Sequence, residues 1–420
     1  MKRFAITCAL AAAMVLLPLA AYAGLGSPPF SYGLGARGIA MGSAYTAMSS
    51  DASCAFYNPA AMPLLENSEI LLSYLYAAPN FEGGPADGDK FTFDTSNQMI
   101  QTSFALKLNK LFKSDFPISL GLNIALDENG KAFIRFYDMQ VGEGYYYRYG
   151  PASFLLNLTM GFGITDWLFL GGGALTTLHA TNGMVLNTDL AGNTSHEGMT
   201  LDTDTAIAPM ASIFLHFKPV DVGIAFHGRN TGEFGPIVVQ ATATVGSSPL
   251  ADLPMNLLFK DNYNPHRVAV GVNWRVLETF RIAAEGAWYN WGDFDETVSE
   301  NDLPRKTTII DFHDTYVPRI GFEFEPYSHL NLRAGYGYEQ TPVSTPGTSG
   351  NVILDNDKHI IALGLGYDWY DAPGLGTPIS FSAAYFMHYL VPITLETSDG
   401  EEFESSGMLN GGIFSTSIRF

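Results

Sequence analysis

The chain has 420 residues, with 22 basic and 42 acidic side chains and a formal net charge of −20, so its surface repels nucleic acid. Hydrophobic residues make up 47% and charged residues only 15%, a balance that suits a membrane barrel whose strand alternation dilutes the apolar signal. Of two cysteines, only Cys54 lies beyond the leader, which excludes an internal disulfide and a zinc site built on two or more cysteines.

Residues 1–23 read as a secretory signal peptide. Lys2 and Arg3 open it, an apolar run follows from Phe4, and Ala21-Tyr22-Ala23 forms a small-x-small cleavage site. The mature chain is expected to begin near Gly24, taking the net charge from −20 to −22 as Lys2 and Arg3 leave. Cys8 lies too early to carry a lipid anchor beside the cleavage point.

Residues 24–67 precede any strand and are rich in Gly, Ala and Met. A segment of this size at the periplasmic end of a barrel either dangles or folds into the lumen. Its small and flexible apolar residues favour packing inside. Pro59 fixes its own φ and pushes Asn58 out of the α region, so Asn58, Pro59 and Ala60 are expected to form a firm turn. That turn serves either as plain structure or as part of a switch. Met41, Met48, Phe56 and Tyr57 either line an apolar ligand pocket or pack against the wall.

Fourteen strands are then predicted, at 68–78, 96–108, 117–126, 150–162, 167–180, 201–218, 220–228, 265–276, 278–290, 313–325, 329–339, 358–369, 378–390 and 408–420. The gaps alternate long and short, as expected of an even-stranded barrel with short periplasmic turns and long extracellular loops. The long gaps, 79–95, 127–149, 181–200, 229–264, 291–312, 340–357 and 391–407, are polar. Residues 152–178 are long enough for a membrane helix, but Asp166 and several glycines interrupt them, so a hairpin is expected. Val268, Val270, Val272, Trp274 and Val276 alternate with Arg267, Ala269, Gly271, Asn273 and Arg275, the period of a strand with one face toward lipid. Alternation alone leaves a soluble sandwich open. The last residue is Phe420.

The run from Gly35 to Tyr45, followed by Asp51-Ala52-Ser53 and Tyr57-Asn58-Pro59-Ala60, resembles the N-terminal hatch of the FadL/TodX family of outer-membrane transporters of hydrophobic compounds. Asn264-Pro265-His266-Arg267, Trp288-Tyr289-Asn290-Trp291, the run from Leu332 to Tyr338 and Asp355 to His359 are similar in order and spacing. Residues 127–264 match only in strand pattern. The resemblance implies an all-β fold: a transmembrane antiparallel β-barrel of about fourteen strands, residues 68–420, its lumen closed by a hatch at 24–67. It also implies a monomer in the Gram-negative outer membrane, among lipid and lipopolysaccharide, with passive uptake of long-chain fatty acids or hydrocarbons. Uptake would proceed through an apolar pocket, hatch movement and lateral release.

A carboxylate substrate would need a cation. Arg267, Arg275, Arg319 and Arg333 are predicted to point inward, where each either greets such a substrate or pairs with a lumen acid such as Glu323 or Glu339. No catalytic residue, metal site or cofactor is expected. Gly33 to Gly38 fits GxGxxG in spacing but follows a leader instead of a strand, and no GxSxG or HExxH occurs. The Gly-Ala-rich start with Asn-Pro-Ala also resembles PorV-like barrels that shuttle secreted proteins, which stands as the alternative function.

Overall fold

A computed structural model describes residues 28–94, 96–113, 115–127, 134–138, 143–147, 154–189, 194–245, 248–294, 298–300, 303–305, 310–349, 351–370 and 377–420. The expected signal peptide, with its cleavage site, lies outside the described residues.

Fourteen strands form a closed ring: β1 (Glu69–Pro85), β2 (Asn97–Lys107), β3 (Ile118–Asp127), β4 (Phe154–Gly163), β5 (Leu168–Asp189), β6 (Thr194–Phe217) and β7 (Val220–His227), then β8 (Arg267–Leu277), β9 (Phe280–Tyr289), β10 (Thr315–Tyr327), β11 (Leu330–Glu339), β12 (Lys358–Trp369), β13 (Ile379–Glu396) and β14 (Glu402–Arg419). Each pairs antiparallel with its sequence neighbours. Closure comes from β14 on β1, in register from Glu69↔Arg419 to Pro85↔Phe403. Closing the ring pairs every edge, the condition for a sheet to stand in hydrocarbon.

The side chains sort as the period of 2 requires. Along β8, Val270, Val272 and Trp274 are exposed on the outer face, while Ala269, Gly271 and Asn273 are buried on the inner one. Phe322 and Phe324 on β10, and Phe414 and Ile418 on β14, likewise face outward. Among the described residues no helix is long and apolar enough to cross a membrane. Of the stretch expected as a hairpin at 152–178, the described residues from Phe154 onward form the β4–β5 hairpin, turning at Ile164 to Trp167.

The long gaps hold more strand than their polarity suggests. Residues 229–264, expected as a loop, contain a hairpin of Asn230–Val245 with Ser248–Asn264. Val238 to Val245 reads Val-Val-Gln-Ala-Thr-Ala-Thr-Val, and Thr is as good a strand former as Val although it is polar. Strands β1, β13 and β14 also run on into the gaps at 79–95 and 391–407, where they stay paired.

The stretch 28–65 folds as short helices, Pro28–Tyr32, Ala36–Ala40 and Cys54–Tyr57, and a 3-10 turn, Pro59–Leu64. It sits inside the ring, because it hydrogen bonds to inward side chains on opposite walls: Gln101 of β2, Asn157 of β4, Ser212 of β6, Glu285 of β9 and Ser415 of β14. The wall is cut back to admit its backbone. A Cβ on Gly223 would lie 2.0 Å from Thr46 O, and one on Gly335 would lie 2.0 Å from Gly42 N, so only glycine allows that approach.

Candidate functional site: the luminal segment and its wall anchors

Asn58 sets the local geometry of the segment. Extended at φ −157°, it accepts from Ala60 N at 3.1 Å and so caps the 3-10 turn that Pro59 begins. Its Nδ2 donates to Thr46 O at 2.8 Å and to Ile213 O of β6 at 3.1 Å. One side chain thus ties two parts of the segment to each other and to the wall. Ala60 N also donates to Ser212 Oγ at 3.0 Å.

The four apolar residues singled out in the sequence are all buried and packed. Met41 and Met48 have no exposure, and Phe56 and Tyr57 have 4% and 3%. Met41 lies against Gly321 of the wall. Phe56 meets Phe30 and the His227 ring at 5.3 and 5.8 Å. Tyr57 Oη accepts from Leu34 N at 2.8 Å and donates to Leu34 O at 3.1 Å. Burial pushes its hydroxyl up to about 12. Cys54, wholly buried beside Asp51, has its thiol pushed well up, by burial first and by nearby carboxylates second.

Three carboxylates on the wall organise the charges. Glu323 accepts two hydrogen bonds from Arg37 of the segment, at 2.6 and 2.8 Å, and one from Arg333 at 2.6 Å, with Arg281 at 3.1 Å. Glu285 accepts from Arg267 at 2.7 Å and Arg319 at 3.1 Å through one oxygen. Its other oxygen accepts Tyr45 N and Thr46 N at 3.1 and 3.0 Å. Asp221 holds Arg275 at 2.7 Å and His216 at 2.6 Å. All four arginines read from the sequence therefore face inward and already have a carboxylate. Of the two lumen acids named from the sequence, Glu323 holds Arg333, and Glu339 lies 3.2 Å from Lys358 and also acts electrostatically on Arg319. Glu285 and Asp221 were missed, because which acid faces which arginine depends on cross-strand register, such as Glu285↔Arg319.

Two further environments flank the segment. Toward the short turns, a cavity of about 460 Å³ is bordered by Arg37, Glu69, Arg275, Arg281, Asp368 and Arg419 among others, a strongly polar set. Toward the long loops, Tyr263, Trp291, Phe312, Val343 and Ile353 form a separate apolar cluster with Phe294 and Tyr289 packed on it. Its rings meet at 4.8 to 5.8 Å. Asp314 fixes the turn that carries Trp291, accepting from Gly292 N at 2.9 Å and Asn290 Nδ2 at 3.2 Å.

Comparison with known proteins gives four findings. Residues 222–418 match the family model described as outer membrane protein transport protein (OMPP1/FadL/TodX). Alkane uptake protein A of Marinobacter nauticus is 23% identical over 438 aligned residues, covering 99% of this chain and 95% of that protein. Among solved structures, a Pseudomonas aeruginosa FadL homologue is similar with a TM-score of 0.65 at 15% identity, covering 92% of this chain and 98% of that one. The toluene transporter TodX of Pseudomonas putida follows with a TM-score of 0.57 at 17% identity, covering 93% and 99%.

Proposed function

Because the chain belongs to the FadL/TodX family of outer-membrane transport proteins, a family of hydrophobic-compound channels in the Gram-negative outer membrane, we propose that its substrates are uncharged hydrocarbons, long-chain alkanes foremost, rather than fatty acids. The observation that carries this reading is the prior engagement of the lumen arginines. Arg267, Arg275, Arg319 and Arg333 each hold a carboxylate at 2.6 to 3.1 Å. To bind at one of these arginines a fatty-acid head group would have to displace Glu285, Glu323 or Asp221, and opening a buried pair costs about 3 to 5 kcal/mol. An alkane asks for no such exchange, since its transfer into an apolar site gains roughly 0.8 kcal/mol per buried CH₂. The name of the Marinobacter relative supports the same substrate class.

The polar cavity bears on the route. A hydrocarbon gains nothing from a basin lined by guanidinium and carboxylate groups, so straight passage into the periplasm is disfavoured. Sideways release into the bilayer runs downhill. In this reading residues 24–67 are the hatch, the leader is cleaved near Ala23, and the barrel works as a monomer among lipid and lipopolysaccharide, with no enzymatic step. Of the relatives named above, one is an alkane uptake protein and one a toluene transporter, and neither name lends support to a protein shuttle.

Binding of radiolabelled n-hexadecane, toluene and oleate to the detergent-purified barrel tests the substrate class. Saturable hexadecane binding that excess oleate fails to displace is expected. Tight oleate binding lost on adding charge-neutral substitutions at the arginines would overturn it.

A further inference from the structure

The phenol of Tyr289 joins the outer aromatic cluster to the anchors of the luminal segment. Tyr289 packs its ring on the cluster of Tyr263, Trp291, Phe312, Val343 and Ile353. Its hydroxyl accepts from Arg267 Nε and from an Arg319 Nη, both at 3.1 Å. The same two guanidiniums hold Glu285 at 2.7 and 3.1 Å, and Glu285 holds the backbone N–H groups of Tyr45 and Thr46. Arg267 also lies 3.5 Å from His227 Nδ1, and the other nitrogen of that ring is 3.0 Å from Phe56 O. Thr46 O in turn accepts from Asn58. The fork of Arg267 is therefore shared between one acceptor under the outer cluster and two wall groups that anchor the segment.

We propose that Tyr289 is the coupling residue of this channel: a hydrocarbon entering the outer aromatic cluster displaces the Tyr289 ring, which re-aims Arg267 and Arg319 and loosens the Glu285 and His227 anchors of the hatch. The proposal rests on the hydrocarbon reading above. A planar guanidinium cannot keep all its acceptors when one of them moves, because its donors are fixed in one fork. The ligand acts by favouring the state in which that fork is rearranged, and its differential affinity sets the size of the response. From the Tyr289 hydroxyl through Arg267 and Arg319 to Glu285 and His227, each contact is 3.5 Å or less, and Glu285 and His227 in turn hold the hatch backbone.

Cys54 supplies the readout. It is fully buried in the hatch, and it is the only cysteine beyond the expected leader, so maleimide labelling of the purified barrel reports hatch opening. With saturating n-hexadecane, labelling of the unaltered protein is expected to quicken by about tenfold or more, as a shift of about 1.4 kcal/mol in the hatch equilibrium gives. Tyr289→Phe keeps the ring and deletes the acceptor. Its labelling rate, fast or slow, is expected no longer to respond to hexadecane at concentrations that saturate its own measured binding. Arg267→Lys, which keeps the charge and loses the fork, is expected to behave the same way and guards against an effect peculiar to one variant. If the unaltered barrel binds hexadecane and either variant keeps the full ligand response, the coupling role is wrong and the substrate reading stands. If the unaltered barrel binds no hydrocarbon at all, the substrate reading has failed first, and with it this proposal.

Discussion

Arg37 of the luminal segment and Glu323 of the barrel wall face each other as two forks, joined at 2.6 and 2.8 Å with Glu323 almost fully buried. The same carboxylate neutralises Arg333 and Arg281. Among the described residues it is the one wall acid that holds both the segment's own guanidinium and two of the wall's.

Glu323→Gln should therefore do more than break one contact. It leaves three guanidiniums around a neutral amide, and stranding a buried charge costs about 3 to 5 kcal/mol. We expect faster maleimide labelling of Cys54 and a lower melting temperature in detergent. Labelling and melting equal to the parent would show that Arg37 contributes no hold on the segment.

Asn58→Ala removes the cap of the 3-10 turn and both bonds from Nδ2, at 2.8 and 3.1 Å. Ala60 N keeps Ser212 Oγ while Thr46 O loses its Asn58 donor, so the loss should come to about 1 to 3 kcal/mol of local stability. Limited proteolysis within 28–65 should accelerate while the strands stay protected. The two effects would be equal if the segment and barrel unfolded as one.

Gly335→Leu tests the close approach of luminal segment and wall. A Cβ there would meet Gly42 N at 2.0 Å, too near for either to adjust locally. The barrel is expected to form, since its outer face is untouched, but with the segment displaced and single-channel conductance raised. Unchanged conductance would mean that the segment does not close the lumen at Gly42.

Cys54 and Tyr57 give the pH dependence a sign. Their folded-state pKa values are raised, Tyr57 to about 12, by burial. The folded chain keeps protons that an unfolded chain releases from about 8.5 for Cys and about 10 for Tyr. Stability is therefore fully present below those values and is lost as pH rises through and beyond them. Urea midpoints of the barrel should fall between pH 8 and pH 11, and the fall should shrink in a Cys54→Ala, Tyr57→Phe double variant.

The wall was legible because each strand carries its own record. Val268, Val270, Val272 and Trp274 face lipid one after another, and the turn at Lys218 to Val220 is too short to be anything but a hairpin bend. Asn58 and Pro59 were legible for the same reason, since an Asn-Pro turn acts within a few residues. The partners of the arginines were not. Glu285 meets Arg267 and Arg319 only because three strands share a register, and no local pattern carries register. The hairpin at Asn230–Val245 was hidden differently: its threonines favour strand while reading as polar loop. The sequence marked Tyr289 only as part of the run Trp288 to Trp291, and the pair of guanidiniums that its hydroxyl receives is visible only in the structure.

Uptake by whole cells tests the central claim most directly. A Gram-negative host lacking its own hydrophobic-compound channel would express this barrel and be given radiolabelled n-hexadecane or oleate in parallel. We expect hexadecane uptake to rise several-fold over the empty host, to vanish when the hatch is cross-linked to the wall, and to be unaffected by excess oleate. Oleate uptake that rises while hexadecane uptake stays at the level of the empty host would contradict the account.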